Sequence, residues 1–311
     1  MNENKTPKNT ILKTTVTIII AFVIFFAIVA LKLNSSRLFS SKVGVTAVKN
    51  MKEVDTLFVG ASSFRKGLNM HTIDDSLNGS SYMLTYNGNQ PMNMDLEIKE
   101  LFNSGVKINT LVMEFDPGMI SSGPDLSDKR LLWDIGFKSQ YDLWKLLSTR
   151  EDADFFMCYD YWVSSNIDYF ATYFISAPVI AKRYYLGGNT GEDDVKGLSA
   201  DELDALDVIE APGFSDLQKS SLQDIINLCK ANNTKLICIE SPNYKKMYED
   251  LNYAEKTSLL KEFLLENDIE TITKDELSFD YTNPAYYSDL SHMSSEGMNV
   301  YTKEIIDLLN R

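Results

Sequence analysis

Asp55-Thr-Leu-Phe-Val-Gly60-Ala-Ser62-Ser-Phe-Arg-Lys-Gly67 is the stretch that decides the fold of this chain. Leu57, Phe58 and Val59 form an apolar run too short for a helix and without the alternation of a half-exposed strand. It predicts a parallel strand, over 55–60, buried on both faces. Gly60 ends the strand where a tight turn is needed. Ser62 then stands just beyond the strand's carboxyl end, the place where open α/β sheets bind ligands. Amides at the start of the helix that follows are placed to stabilise a developing oxyanion. Taken alone, Ser62 and Ser63 fit equally well as helix caps.

Outward from this stretch the pattern repeats. Strands are expected at 81–86, 109–115, 235–239 and 270–273, and helices at 92–103, 215–232, 255–267 and 294–309. Met94, Ile98, Leu101 and Phe102 share one face of the first of these helices. Met298, Tyr301, Ile305, Leu308 and Leu309 form the stripe of the last, which Ser294 caps. Strands alternating with helices give an α/β domain with a parallel sheet covered on both faces. Residues 117–214 break the rhythm and are too long for a plain loop. They hold Trp133, Trp144 and Trp162, together with Tyr159, Tyr161, Tyr169, Phe170, Tyr173, Phe174, Tyr184 and Tyr185. The expectation is a helical, aromatic-rich insertion over the top of the sheet. It serves as a local core, a sugar-stacking groove or a surface lying on a membrane.

A second short stretch, Asp289-Leu-Ser-His292, precedes the last helix and changes the weight of Ser62. A serine nucleophile needs a base that is neutral near physiological pH, and histidine is the usual one. An Asp three residues earlier can reach back to the imidazole, fix its tautomer and support its charged form. The other histidine, His71, has no acid at such a spacing and reads as a surface or local structural residue.

Together, Gly60-x-Ser62-x-x-x-x-Gly67 and Asp289-x-x-His292 resemble the SGNH/GDSL hydrolase superfamily. Tyr86-Asn-Gly-Asn-Gln-Pro91 and Tyr287-Ser-Asp-Leu-Ser-His-Met-Ser-Ser-Glu-Gly297 are similar to its membrane-anchored, DltD-like branch, whose relatives are associated with envelope polysaccharides. The resemblance implies a flavodoxin-like three-layer sandwich, with Ser62 as nucleophile, His292 as base and Asp289 as orienter. It implies an oxyanion hole made by the Ser62 amide, by Gly88 and by an Asn of a third block. That block is absent: Glu114-Phe-Asp116-Pro-Gly118 follows the third strand. Asn89, or Asn87, is then expected to supply the missing donor, and Ser63, Asn87 and Asp116 to line the site. No metal or cofactor is implied.

Composition bounds the partners. The 311 residues carry a formal net charge of −14, which speaks against nucleic acid, whose phosphates need clustered Lys and Arg. Cys158, Cys229 and Cys238 match no zinc or redox spacing. Thr14 to Leu31 is free of charge and long enough to span the hydrocarbon core, with Lys13 and Lys32 at its ends. No small-x-small cleavage site follows, so an uncleaved single-pass anchor is expected. The expected organisation is a cytoplasmic N-terminus (1–13), a transmembrane helix (14–32), a polar linker (33–53) and an extracytoplasmic domain (54–311). The functional expectation is a serine esterase or O-acyltransferase of the cell membrane. It would act on acetyl or D-alanyl esters of an envelope glycan or acylated polymer, with a multi-spanning acyltransferase as a possible partner. The alternative is a non-catalytic glycan-binding or scaffold protein of an envelope assembly complex.

Overall fold

The computed structural model describes residues 11–25, 44–128, 130–150, 153, 184–189 and 194–310. Strands β1 (Glu53–Gly60), β2 (Ser81–Thr85), β3 (Lys107–Phe115), β6 (Lys235–Glu240) and β7 (Glu270–Ile272) form a five-stranded sheet in the order β2-β1-β3-β6-β7. Every pairing in it is parallel. Counted in chain order, this is the flavodoxin-like strand order. A separate two-stranded hairpin joins β4 (Tyr184–Tyr185) to β5 (Gly188–Asn189).

Successive side chains of a strand point to opposite faces, and here both faces are apolar. Leu57 and Val59, Leu111 and Met113, and Leu236 and Cys238 enter one core, whereas Phe58, Val112, Ile237 and Ile239 enter the other. The first core is closed by α1 (Gly44–Met51), α4 (Pro91–Asn103), α6 (Asp216–Ala231) and α7 (Leu251–Glu266). The second is closed by α2 (Ser62–Gly67), α3 (Met70–Ser76) and α8 (Ser295–Leu309). The result is the expected three-layer α/β arrangement.

Register sets the position of the site. Gly60 pairs with Thr85, Val59 with Met113 and Phe115 with Glu240, so the carboxyl ends of four strands share one rim. The chain leaves that rim at Ser62, Asn87, Asp116 and Ser241. Helix α8 is fixed beneath the rim by Tyr301, fully buried, whose hydroxyl donates to the Glu240 carbonyl at 3.1 Å. Thr302 accepts from the Asn69 amide at 2.9 Å. These contacts fix the middle of α8, whose N-terminal end follows the loop that carries His292.

Two expectations change. The linker expected over 33–53 is helical at Gly44–Met51, where Val45 and Val48, three residues apart, are wholly buried. Lys49 pairs with Glu100 of α4, so the helix from Gly44, nine residues before β1, packs as part of the domain. The insertion is not purely helical: besides the helix α5 (Phe137–Leu147) it contains the hairpin β4–β5. Leu186 and Gly187, with φ of 46° and 82°, form its two-residue turn, and the Leu186 carbonyl accepts from the Met83 amide at 2.8 Å on the edge of β2. The aromatic residues 159–174 lie outside the described residues. At the N-terminus, residues 11–25 are helical with exposed apolar side chains such as Ile18, Phe22 and Phe25. No helix among the described residues is long and apolar enough to cross a membrane. Residues 26–31 of the expected span lie outside them.

Candidate active site

Helix α2 starts at Ser62 with Ala61 at its N-cap in extended conformation and no capping side chain. The two serines therefore do not cap it. Ser62 Oγ lies 2.9 Å from His292 Nε2, and Ser63 Oγ donates to Glu114 Oε1 at 2.7 Å. Gly60 is required by close approach: a Cβ there would sit 2.7 Å from Glu114 Oε2 and 2.8 Å from the Phe64 ring. Ser62 itself is only partly buried, so its hydroxyl is reachable from outside.

The loop before α8 arranges the imidazole through one carboxylate. Asp289 Oδ1 accepts from the amides of Ser291 at 2.9 Å and His292 at 2.8 Å, closing an Asx turn. Its Oδ2 lies 2.7 Å from His292 Nδ1. An ionised carboxylate only accepts, so Nδ1 carries the proton and the lone pair on Nε2 faces Ser62. Partial burial alone would raise the Asp289 pKa, but the His292 hydrogen bond and charge, with the two amides, hold it down to about 2. The loop's ends are tied by the Tyr287–Met293 bridge and by the Ser288 amide, which donates to the His292 carbonyl at 2.8 Å.

The expected oxyanion donors are arranged differently. Asn89 is almost wholly buried, and its amide nitrogen donates to the Gly60 carbonyl at 3.3 Å and to Glu97 Oε1 at 3.0 Å. Its backbone N–H donates to the Tyr86 carbonyl at 3.3 Å. Both donor groups are thus committed, and the expected oxyanion role gives way to bracing the end of β1. The cause is Glu97: its side chain has no exposure, and a buried carboxyl oxygen needs a hydrogen-bond donor. Gly88 sits at φ +57° in an exposed turn, and a Cβ there would meet the Ser127 side chain at 2.8 Å. Asn87 is exposed; its amide donates to Asp128 Oδ2 at 2.9 Å and its side-chain oxygen accepts from Arg65, one turn past Ser62. Asp116 Oδ1 accepts from the Gly118 amide at 2.8 Å, capping a short 3-10 turn. Burial, then the negative charge of Glu114, pushes Asp116 up to about 7.

The structure thus brings Ser62, His292 and Asp289 together, leaves Asn87 and Gly88 on the rim and turns Ser63 and Asn89 away from it. Sequence reasoning missed Glu114 and Ser241, whose hydroxyl donates to Glu114 Oε1 at 2.7 Å. The available signal was an acid within the apolar run Leu111-Val-Met-Glu-Phe115, since a charge in a buried strand must have partners. His71 is exposed at the start of α3, away from this cluster. Cys229 and Cys238 are buried, and burial pushes both thiols up. Unlike Ser62, neither is placed to act as a nucleophile.

No family model and no curated protein matches this chain. Among solved structures, a GDSL-like lipase from Bacteroides thetaiotaomicron is similar over 84% of this chain and 89% of its own, at 11% identity and a TM-score of 0.39. A member of the lipolytic G-D-S-L family from Veillonella parvula is similar over 83% and 99%, at 11% identity and a TM-score of 0.40. An acetyl xylan esterase is similar over 82% and 100%, at 10% identity and a TM-score of 0.42.

Proposed function

We propose that this chain is a serine esterase or O-acyltransferase in which Ser62 is the nucleophile, His292 the base and Asp289 the residue that orients it. The observation that carries this reading is the unbroken contact from Ser62 Oγ to His292 Nε2 (2.9 Å) and from His292 Nδ1 to Asp289 Oδ2 (2.7 Å). Nε2 takes the Ser62 proton as Oγ attacks an acyl carbonyl. The imidazolium, stabilised by Asp289, then returns that proton to the departing alcohol oxygen. The acyl-enzyme passes its group to water, as an esterase, or to a sugar hydroxyl, as a transferase: Nε2 takes the proton of the attacking oxygen and returns it to Ser62 Oγ as the acyl–Oγ bond breaks. The Ser62 amide, at the first turn of α2, is one oxyanion donor, because first-turn amides have no acceptor within their own helix.

The substrate class proposed is an acylated glycan of the cell envelope, acetyl or D-alanyl, reached from a membrane anchor at residues 14–32. The uncharged run Thr14–Leu31 supports the anchor. The negative net charge favours a neutral glycan over a polyanion. A second reading, a non-catalytic glycan-binding module, draws on Tyr141 and Trp144, exposed on α5 with rings stacked 5.9 Å apart. Hydrolysis of a chromogenic acetyl ester separates the two. The enzyme reading expects turnover that Ser62→Ala removes. The binding reading expects no turnover, and glycan retention that Trp144→Ala weakens.

A further inference from the structure

We infer that Glu114 is a positioning residue that clamps the backbone turn on which Ser62 is displayed. The inference rests on the proposed role of Ser62 and adds how that role is prepared. Glu114 is the penultimate residue of β3 before the rim and is 3% exposed. Its Oε2 accepts from the Ala61 amide at 2.6 Å, and its Oε1 accepts from the Ser63 hydroxyl at 2.7 Å. One carboxylate thus grips the residues immediately before and after Ser62. The Ser241 hydroxyl, just past β6, donates to the same Oε1 at 2.7 Å and ties the clamp to the far side of β3. Gly60 leaves the room the carboxylate needs, as a Cβ there would overlap Oε2.

A carboxylate at this depth is costly to bury unless its oxygens are well satisfied. Val112, two residues earlier on the same face of β3, is wholly buried in the apolar core, so an apolar side chain suits this face of the strand. Fold alone therefore gives little reason for a charge here, whereas a nucleophile held within a fraction of an ångström does. Burial outweighs the three donors and the charge of His292, so the Glu114 pKa is raised overall.

The geometry separates position from charge. Gln at 114 can turn its carbonyl to the Ala61 amide and its NH2 to Ser63 and Ser241, whose hydroxyls are able to accept. Ala at 114 leaves one amide and two hydroxyls without partners. The full-length chain in detergent micelles, with folding checked by thermal melting, is labelled with a serine-reactive fluorophosphonate. The rate at saturating probe and the half-saturating concentration are both measured. Glu114→Ala is expected to slow the saturated rate roughly 30- to 100-fold, with the half-saturating concentration changed less than about threefold. Glu114→Gln is expected to recover most of that loss, to within about fivefold of wild type. A wild-type rate in Glu114→Ala, or a Gln variant as slow as the Ala variant, overturns the clamp. If Glu114→Ala does not fold, Ser241→Ala replaces it: a slowing of roughly three- to tenfold supports the clamp and an unchanged rate overturns it. Labelling of Ser62→Ala at the wild-type rate sinks the proposed nucleophile instead. A wild-type chain that takes no label sinks both.

Discussion

On one side of Ser62 the loop Tyr287–Met293 carries its polar atoms toward the nucleophile, whereas on the other the turn Asn87–Asn89 carries its polar atoms away. Asp289 closes its own turn with one oxygen and aligns His292 with the other. Asn89 spends its amide on Gly60 and Glu97, and Asn87 spends its backbone N–H on Asp128. The difference follows from range. The base side is set by residues three apart and is built by local turn chemistry. The donor side depends on Glu97 from α4, which takes the Asn89 side-chain amide, and on Asp128 from the insertion, which takes the Asn87 backbone amide. In the proposed reading, His292 and Asp289 are the assembled base and orienter, and the oxyanion is left to backbone donors near Ser62.

The comparison breaks first at the nucleophile. Ser62→Ala should lower ester turnover by at least ~10^4-fold with an unchanged melting temperature, as measured by steady-state kinetics and calorimetry. A residual rate near wild type would place the chemistry elsewhere. Asp289→Asn should lower kcat by roughly 10^3- to 10^4-fold with little change in KM, because an amide can donate to Nδ1 and so favour the wrong tautomer. On the opposite side, Asn89→Ala should change kcat less than about threefold but destabilise the fold by about 1–3 kcal/mol in urea unfolding, since Glu97 loses its donor. A large kinetic loss without destabilisation would restore Asn89 to the oxyanion hole.

The smallest effect sharpens the electrostatic part of the contrast. Burial, the largest cause in each case, raises Asp116 and Asp134 to about 7 and Asp95 to about 6, while Asp289 is held at about 2. An acid whose pKa is raised on folding keeps in the native state a proton that the unfolded chain releases near pH ~4. Its stabilisation is complete below that pH and is lost as pH rises toward 6 to 7. Asp289 contributes the reverse, but only at strongly acid pH. The melting temperature should therefore fall by roughly 5–10 °C between about pH 5 and about pH 8. A flat or rising profile would contradict the burial of these acids.

The same distinction of range explains what the sequence made legible. Strands β1, β3 and β6 were readable because a strand buried on both faces is a continuous apolar run, and α8 because Met298, Tyr301 and Ile305 keep helical spacing. Ser62 and His292 were readable as a pair because the parallel topology gathers the ends of distant segments at one rim. Helix α1 was hidden because its buried face rests on little more than Val45, Ala47 and Val48 within a Lys-flanked stretch. The fate of Asn89 was hidden because Glu97 lies on a helix whose apolar stripe gives no sign of a buried acid. Glu114 left a visible trace, an acid inside a strand, but its three donors come from the β1–α2 junction and from the end of β6, which only the folded sheet brings together.

The central claim is that Ser62 becomes acylated because His292, aligned by Asp289, takes its proton. Its most direct test is to mix the full-length chain with an activated acetyl ester, quench at early times in acid and map the adduct by mass spectrometry of peptides. The account predicts one acetyl group on the peptide containing Ser62, accumulating before steady state, absent in Ser62→Ala and formed far more slowly in Asp289→Asn. An adduct on another residue, or the same rate of Ser62 acetylation in Asp289→Asn as in wild type, would contradict it.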